Sequence, residues 1–124
     1  MNNKTLRNFH NYQVWQDAVA FASKVYKITA DMPWFEKKGL CDQLQRAAVS
    51  ISSNIAEGAG RPSDTEFAHF LDLSVGSTNE VETQLIISNN IGYVGDDHFK
   101  EMLADVIQIR RQLVGLLNVI RKTN

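Results

Sequence analysis

Apolar residues recur every three or four positions along four stretches of the chain, the period of a helix with one buried face. The pattern predicts helices at about residues 12–30, 36–57, 64–91 and 97–122. The residues predicted to face inward are Trp15, Ala18, Val19, Ala22, Val25, Tyr26 and Thr29; Leu40, Leu44, Ala47, Ala48, Ile51 and Ile55; Phe67, Phe70, Leu71, Ser74, Thr78, Val81, Leu85 and Ser88; and Met102, Val106, Ile109, Leu113, Leu116, Leu117 and Ile120.

Short breaks separate the four patterns. Pro33 lacks an amide donor and disfavours a helical residue before it, which ends the first helix. In SNIAEGAGRPSDTEF, Gly58 or Gly60 is expected to close the second helix in the left-handed conformation, and Ser63 with Glu66 forms a capping box that opens the third. Gly92 and Gly95 end that helix, and Asp96 or Asp97 begins the fourth.

Four helices with short connections and no strand pattern predict an all-α fold, an antiparallel up-down-up-down four-helix bundle. The chain has 124 residues, which predicts one domain over 1–124. Hydrophobic residues make up 44% and charged residues 22%, ordinary values for a globular protein. No apolar run is long enough to cross a bilayer and no signal peptide is present, so we expect a cytoplasmic protein without membrane contact.

Patterns for catalysis and for metal binding are weak. The glycine-containing break follows no strand and lacks a Gly-Lys-Ser/Thr ending, which argues against a phosphate loop. Glu66 and His69 have the Glu-x-x-His spacing of di-iron bundles, but the rest of that ligand set is missing. Cys41 is the single cysteine and has no histidine close in sequence. We therefore predict no catalytic residues, no metal, no cofactor and no enzymatic activity.

Charge is unevenly distributed although the net charge is −1. No Lys or Arg lies between Arg61 and Lys100, so this third of the chain is acidic. On the fourth predicted helix, a step of about 100° per residue aligns a set that we call the basic stripe. Its members are Lys100, Arg111, Asn118 and Lys122, with Arg110 and Arg121 beside them.

The basic stripe has two interpretations. It is a solvated face, or it contacts a nucleic-acid backbone or an acidic neighbour. Ile107 and Val114 lie within it, outside the arc that faces the bundle, which indicates a subunit interface. With the acidic third helix as the mating surface, the pattern predicts a homo-oligomer held by heterologous contacts that close into a ring.

Several segments carry a family pattern: VWQDAVAFASKVY, GLCDQLQRAAVSISSNIAEGAGR, SDTEFAHFLDLSVGSTNEVETQL and IGYV. Together they resemble the four-helix-bundle family of bacterial 23S rRNA intervening-sequence proteins, whose biochemical role is not settled. The resemblance implies a ring, a homopentamer. A similar bundle is the accessory variability determinant of diversity-generating retroelements, a ring that binds nucleic acid and a reverse transcriptase through a basic surface.

The family pattern also contains polar positions, which match Arg46, Asn54, Glu57, Arg61, Glu66, Glu80 and Gln84. We interpret them mainly as a structural network, with Arg46 paired to Glu57 or Glu80 and with Asn54 or Gln84 bonding across helices. Gly76-Ser77 predicts a close helix approach. Three functions stay open: a ring-forming adaptor that contacts RNA or DNA, a ring-forming protein-interaction module whose partner is encoded nearby, and an enzyme.

Overall fold

The structure is a computed structural model that describes residues 7–122. These residues form four α-helices and no strand. The helices are α1 (Gln13–Thr29), α2 (Leu40–Ala59), α3 (Asp64–Asn90) and α4 (Asp96–Lys122). Two short 3-10 turns, Phe9–Asn11 and Trp34–Glu36, precede α1 and α2.

The contacts between helices follow an antiparallel order. Ser74 of α3 donates to the Ile51 carbonyl of α2 at 2.9 Å, and the α2 and α3 pair is the most closely packed. Arg110 of α4 lies 2.7 Å from Glu82 of α3. Lys24 of α1 lies 2.8 Å from Asp105 of α4, which closes the circuit of four helices. The predicted four-helix bundle is therefore confirmed.

The core is apolar and draws on all four helices, with Phe21, Leu44, Phe67 and Leu113 among its largest fully buried side chains. The inward face of α1 differs from the prediction. Val19 and Tyr26 are exposed, whereas Phe21 is buried. The reason is that α1 packs against both α2 and α4, which turns its buried face toward Phe21 and away from Tyr26.

The turn between α2 and α3 corrects one prediction. Neither Gly58 nor Gly60 adopts the left-handed conformation, and α2 continues through Ala59. Gly58 is instead a packing position, because a Cβ built there would lie 2.6 Å from the Cβ of Phe70. The predicted cap is present: Ser63 Oγ accepts a hydrogen bond from the Glu66 amide at 3.1 Å.

The start of α2 also differs from the prediction. The helix begins at Leu40, not near residue 36, because Trp34–Glu36 form a separate 3-10 turn. The Glu36 carboxylate then accepts a hydrogen bond from the Leu40 amide at 3.2 Å, which satisfies one of the free donors of the first helical turn. The same carboxylate accepts a hydrogen bond from the Tyr93 hydroxyl at 2.9 Å. This contact joins the two connections at one end of the bundle.

The connection between α3 and α4 agrees with the prediction at Gly92, whose φ of +84° is the left-handed conformation that glycine adopts freely. α4 begins at Asp96, so both Asp96 and Asp97 lie in its first turn, where a carboxylate favours the positive end of the helix dipole. Two grooves of about 240 and 370 Å³ run between α1 and α4, beside Lys24. The α1 and α4 pair is the least closely packed of the adjacent helix pairs.

Candidate interaction surfaces

Two arginines beside the basic stripe are engaged within the chain. Arg110 is half-buried and donates to Glu82 at 2.7 Å and to Asn79 at 3.2 Å. Arg121 pairs with Asp72. Both acidic partners, Glu82 and Asp72, belong to α3, so the acidic helix neutralises these arginines within the chain.

The rest of the basic stripe remains exposed. Lys100, Arg111, Asn118 and Lys122 lie on the outer side of α4, and none of the four forms a hydrogen bond or ion pair through its side chain with another residue of the range 7–122. Within the stripe Val114 is 42% exposed and Ile107 is half-buried. Two acidic residues of α4, Glu101 and Asp105, point away from it, since both contact Lys24 of α1.

The Lys24 contacts perturb ionisation at the seam between α1 and α4. Hydrogen bonds from Lys24 Nζ reach Asp105 and Glu101, each at 2.8 Å. They raise the pKa of Lys24 above its ordinary value, chiefly through Asp105, and lower the pKa of Glu101. Both shifts favour the charged forms, as expected for a structural ion-pair cluster.

The polar family positions are paired differently from the prediction. Arg46 bonds to Asp42 at 2.9 Å rather than to Glu57 or Glu80, and Glu57 bonds to Arg61 at 2.7 Å. Both pairs have i,i+4 spacing on one helix, where side chains meet most readily. Arg61 also places its guanidinium over the ring of Phe70, 4.7 Å from the centroid.

Hydrogen bonds across the helices also use other residues. Asn54 donates to the carbonyl and the hydroxyl of Ser50, each at 2.9 Å, and so stays within α2. Besides the Ser74 bond to Ile51, a second bond crosses from α2 to α3 and joins the Ser50 and Ser77 hydroxyls at 2.8 Å. Ser77 thus makes the predicted close approach, whereas Gly76 faces outward, where an added Cβ would meet no atom within 4 Å.

A surface that sequence reasoning missed follows the outer side of α3 next to α2. We call it the α3 outer stripe: Leu73, Gly76, Glu80, Thr83 and Ile87, on the outer side of the helix. A groove of about 430 Å³ runs along it, lined also by Gln43, Asn79 and Gln84. Gln84 is only 7% exposed, yet its Oε1 atom has no hydrogen-bond partner among the described residues. A buried amide oxygen without a donor is costly.

The interior of α3 explains why this surface escaped notice. Ser74, Ser77, Thr78 and Ser88 are buried, while Leu73 and Ile87 are exposed. The helix therefore buries four small polar residues beside its apolar core residues and leaves the large apolar Leu73 and Ile87 exposed. The sequence does contain a signal for this surface. Leu73 and Ile87 are large apolar residues that share one side of the helix, outside the predicted inward face.

Metal-binding geometry is absent from the described part of the chain. Within residues 7–122, no group of three or more His, Cys, Asp or Glu side chains is placed to hold a metal ion. Glu66 accepts a hydrogen bond from the Ser63 hydroxyl at 3.0 Å, while His69 is exposed and meets the edge of Phe70. Cys41 is buried, and its Sγ accepts from Gln45 at 3.5 Å. Over the same range, no helix is long and apolar enough to cross a membrane.

The sequence matches the model of the 23S rRNA-intervening sequence protein family over residues 10–115. The chain belongs to this family. A solved structure similar to this family member is a protein of unknown function from the S23 ribosomal protein family of Bacteroides thetaiotaomicron. The two share 21% identity at a TM-score of 0.79, over 85% of this chain and 95% of that chain. At this identity the likeness shows the bundle fold alone. No curated protein matches the sequence.

Proposed function

We propose that this intervening-sequence family member is a non-enzymatic homo-oligomeric adaptor. In the proposed assembly, the α3 outer stripe of one subunit packs against the basic stripe of the next. Contacts between two different surfaces close into a ring when the rotation between subunits permits. The family resemblance implies five subunits.

The observation that carries this proposal is the α3 outer stripe. Leu73 and Ile87 are 43% and 45% exposed, and Gly76 between them leaves room for a partner backbone to approach. A partner that covers the groove would also supply a donor to Gln84 Oε1, which has no partner within residues 7–122. The stripe thus has three features of an interface: an exposed apolar patch, room for the backbone of a partner, and a buried acceptor atom without a donor.

Charge supports the pairing of these two surfaces. Glu80 lies exposed in the middle of the α3 outer stripe, and Arg111 lies exposed in the middle of the basic stripe, near Val114. Opposite charges around apolar contacts fix the register of an interface and disfavour incorrect pairings.

The test is the molar mass of the purified full chain by light scattering. Leu73→Asp with Ile87→Asp is expected to give subunit mass, and Ile107→Asp with Arg111→Glu is expected to do the same. Ile86→Asp is the matched control, because Ile86 is 39% exposed on a different side of α3. A mass that both double variants leave unchanged would refute the proposed interface.

Nucleic-acid contact is the adaptor role that we propose for the ends of the basic stripe. Lys100 and Lys122 are exposed without ionic partners among residues 7–122, and they flank Ile107 and Val114. At 1.5 Å per residue they lie about 33 Å apart, outside the apolar centre of the interface. A ring repeats this pair of lysines in every subunit, so the number of positive charges available to phosphates rises with the number of subunits.

Light scattering with added RNA and DNA at low and then moderate salt tests this role. Mass gained at low salt should be lost in the variant Lys100→Ala with Lys122→Ala, because counterion release depends on such contacts. Arg110→Ala is the control, since Arg110 is already paired with Glu82. A ring that stays bare at low salt would refute nucleic-acid contact.

The alternative is a ring-forming protein-interaction module without nucleic-acid affinity. The neutralisation of Arg110 and Arg121 by α3 supports it, because two of the basic side chains are unavailable to phosphate. Co-purification of one protein partner at high salt, with no nucleic acid bound, would select this alternative.

A further inference from the structure

An exposed group of aromatic and basic side chains occupies the connection between α1 and α2. Trp34 is 86% exposed and Phe35 is 62% exposed, and their rings meet edge to face with centroids 6.1 Å apart. Tyr26, at 50% exposure, lines one groove together with Trp34 and Lys37. Lys38 follows, also exposed. We call these five residues the aromatic–lysine patch.

The fold does not require these aromatic rings. Neither Trp34 nor Phe35 belongs to the apolar core or packs against it, in contrast to Trp15, which is half-buried against Phe9 and His10. Large rings held in water by a short 3-10 turn are costly unless they contact something else. The patch is therefore an unpartnered surface that needs an occupant.

The charge of the patch indicates what that occupant is. Lys37 and Lys38 form no ion pair with any residue of the described range, and the nine residues that line the groove include no Asp or Glu. The nearby Glu36 carboxylate accepts hydrogen bonds from the Tyr93 hydroxyl and the Leu40 amide and forms no ion pair with either lysine. The patch thus presents stacking surfaces beside two lysines that have no ion-pair partner within the described residues.

We propose that the aromatic–lysine patch binds single-stranded nucleic acid, with bases stacked on Trp34 and Phe35 and phosphates contacted by Lys37 and Lys38. Aromatic rings beside lysines form the recurring platform for unpaired bases, because every base has a stacking face. The groove of about 410 Å³ next to Trp34 offers room for a base. A duplex keeps its bases stacked on each other, so it gains nothing from the two aromatic rings and is held by the lysines alone.

The proposed site goes beyond ring assembly and uses none of the residues of the basic stripe. It adds a strand preference to the adaptor role, and it stands on different side chains. Substitutions in the patch and in the stripe therefore test the two ideas separately.

The experiment measures binding of a short oligo(dT) and of the matching duplex to the full chain, by anisotropy of the labelled probe and by tryptophan emission. The chain has two Trp residues, and Trp15 is packed within the protein, so quenching reports mainly on Trp34. We expect the single strand to quench emission and to bind more tightly than the duplex. Trp34→Ala should weaken oligo(dT) binding by about tenfold or more, whereas Trp34→Phe should keep most of the affinity.

The lysines are tested through salt dependence. Lys37→Ala with Lys38→Ala should reduce the slope of log affinity against log salt by about 1.4, which is about 0.7 for each phosphate contact to a single strand. Lys27→Ala is the matched control, because Lys27 is exposed on the same end of the bundle but lines a different groove, between α1 and α4. An unchanged slope in the double variant would contradict the assigned phosphate contacts.

Three results would overturn the proposal. The first is oligo(dT) binding that Trp34→Ala leaves unchanged, and the second is equal binding of duplex and single strand. The third is a fall in the light-scattering mass of the free protein on Trp34→Ala, which would make the patch an interface between copies of this chain. A melting curve of Trp34→Ala checks the fold, and the high exposure of the ring predicts no change.

Discussion

Gly58→Ala tests whether the closest contact between α2 and α3 depends on a missing side chain. A Cβ on Gly58 would lie 2.6 Å from the Phe70 Cβ, 3.1 Å from Phe67 Cδ1 and 3.3 Å from the Phe67 carbonyl oxygen. Carbon atoms pack best at about 3.5–4.0 Å, so the first contact is about 1 Å too short. No rotamer change relieves it, because the Phe70 Cβ is fixed to the backbone. The two helices would have to separate.

The expected magnitude follows from two opposing effects. Alanine gains about 1 kcal/mol over glycine inside a helix. Overpacking of this kind costs about 3 kcal/mol, the upper end of the usual range, since the clash involves backbone-bound atoms. We expect Gly58→Ala to lower the free energy of unfolding by about 2 kcal/mol. For a chain of this size, that corresponds to a melting temperature about 8 °C lower.

Gly115→Ala is the matched control, because Gly115 is also helical but is exposed, and its added Cβ would meet no atom within 4 Å. It should gain about 0.5–1 kcal/mol. Both free energies are measured by guanidinium unfolding at one fixed protein concentration, since the proposed assembly would make stability depend on concentration. A Gly58→Ala protein as stable as wild type would refute the packing argument.

Three further predictions concern single contacts. Ser63→Ala should cost about 1 kcal/mol of unfolding free energy in urea, because the Glu66 amide loses its cap. Lys24 holds the pKa of Glu101 below its ordinary 4.5, so stability from this pair is present above that pH and is lost as the pH falls through the folded pKa. In Glu101→Gln, the free energy of unfolding should therefore fall less steeply as the pH is lowered through the acid range. Arg110→Ala should cost about 1 kcal/mol, since its pair with Glu82 is partly buried.

Each has a control that leaves the contact intact: Thr65→Ala for the cap, Asp31→Asn for the acid limb and Lys27→Ala for the ion pair, all at exposed positions. The cap argument fails if Ser63→Ala and Thr65→Ala unfold at the same urea concentration. If the free energy of unfolding falls with the same slope at acid pH in Glu101→Gln and in wild type, the Lys24–Glu101 pair does not contribute to the pH dependence of stability. Equal losses of unfolding free energy in Arg110→Ala and Lys27→Ala would mean that the Arg110–Glu82 pair adds nothing specific.

Local signals predicted the helix ends well, and partners from distant segments account for the differences. Ser63 and Gly92 act on atoms a few residues away, so their roles were readable from the chain. Gly58 looked like a helix terminator because the sequence does not show that Phe70 packs onto it. The late start of α2 has the same origin, since Glu36 is engaged by Tyr93 from the connection between α3 and α4 at the same end of the bundle.

The side chains of the basic stripe likewise depend on partners from a distant segment. The angular step along α4 placed Lys100 and Arg111 outward, as the structure has them. It placed Arg110 and Arg121 close to the same line, but their side chains turn to the acidic residues of α3. Periodicity gives the direction of a side chain from its own helix, and the identity of the neighbouring helix decides what that side chain meets.

The two grooves beside Lys24 have a consequence for the motions of the bundle. The seam between α1 and α4 is bridged by polar contacts such as Asp17 with Gln112 at 2.8 Å, where water has access, whereas α2 and α3 meet through Gly58 and a buried serine. Segments with few buried contacts open locally at lower free energy than the whole protein unfolds. Amide hydrogen exchange should therefore proceed first along α1 and last in the α2 and α3 pair. We expect α1 to be the helix that separates most readily from the rest of the bundle.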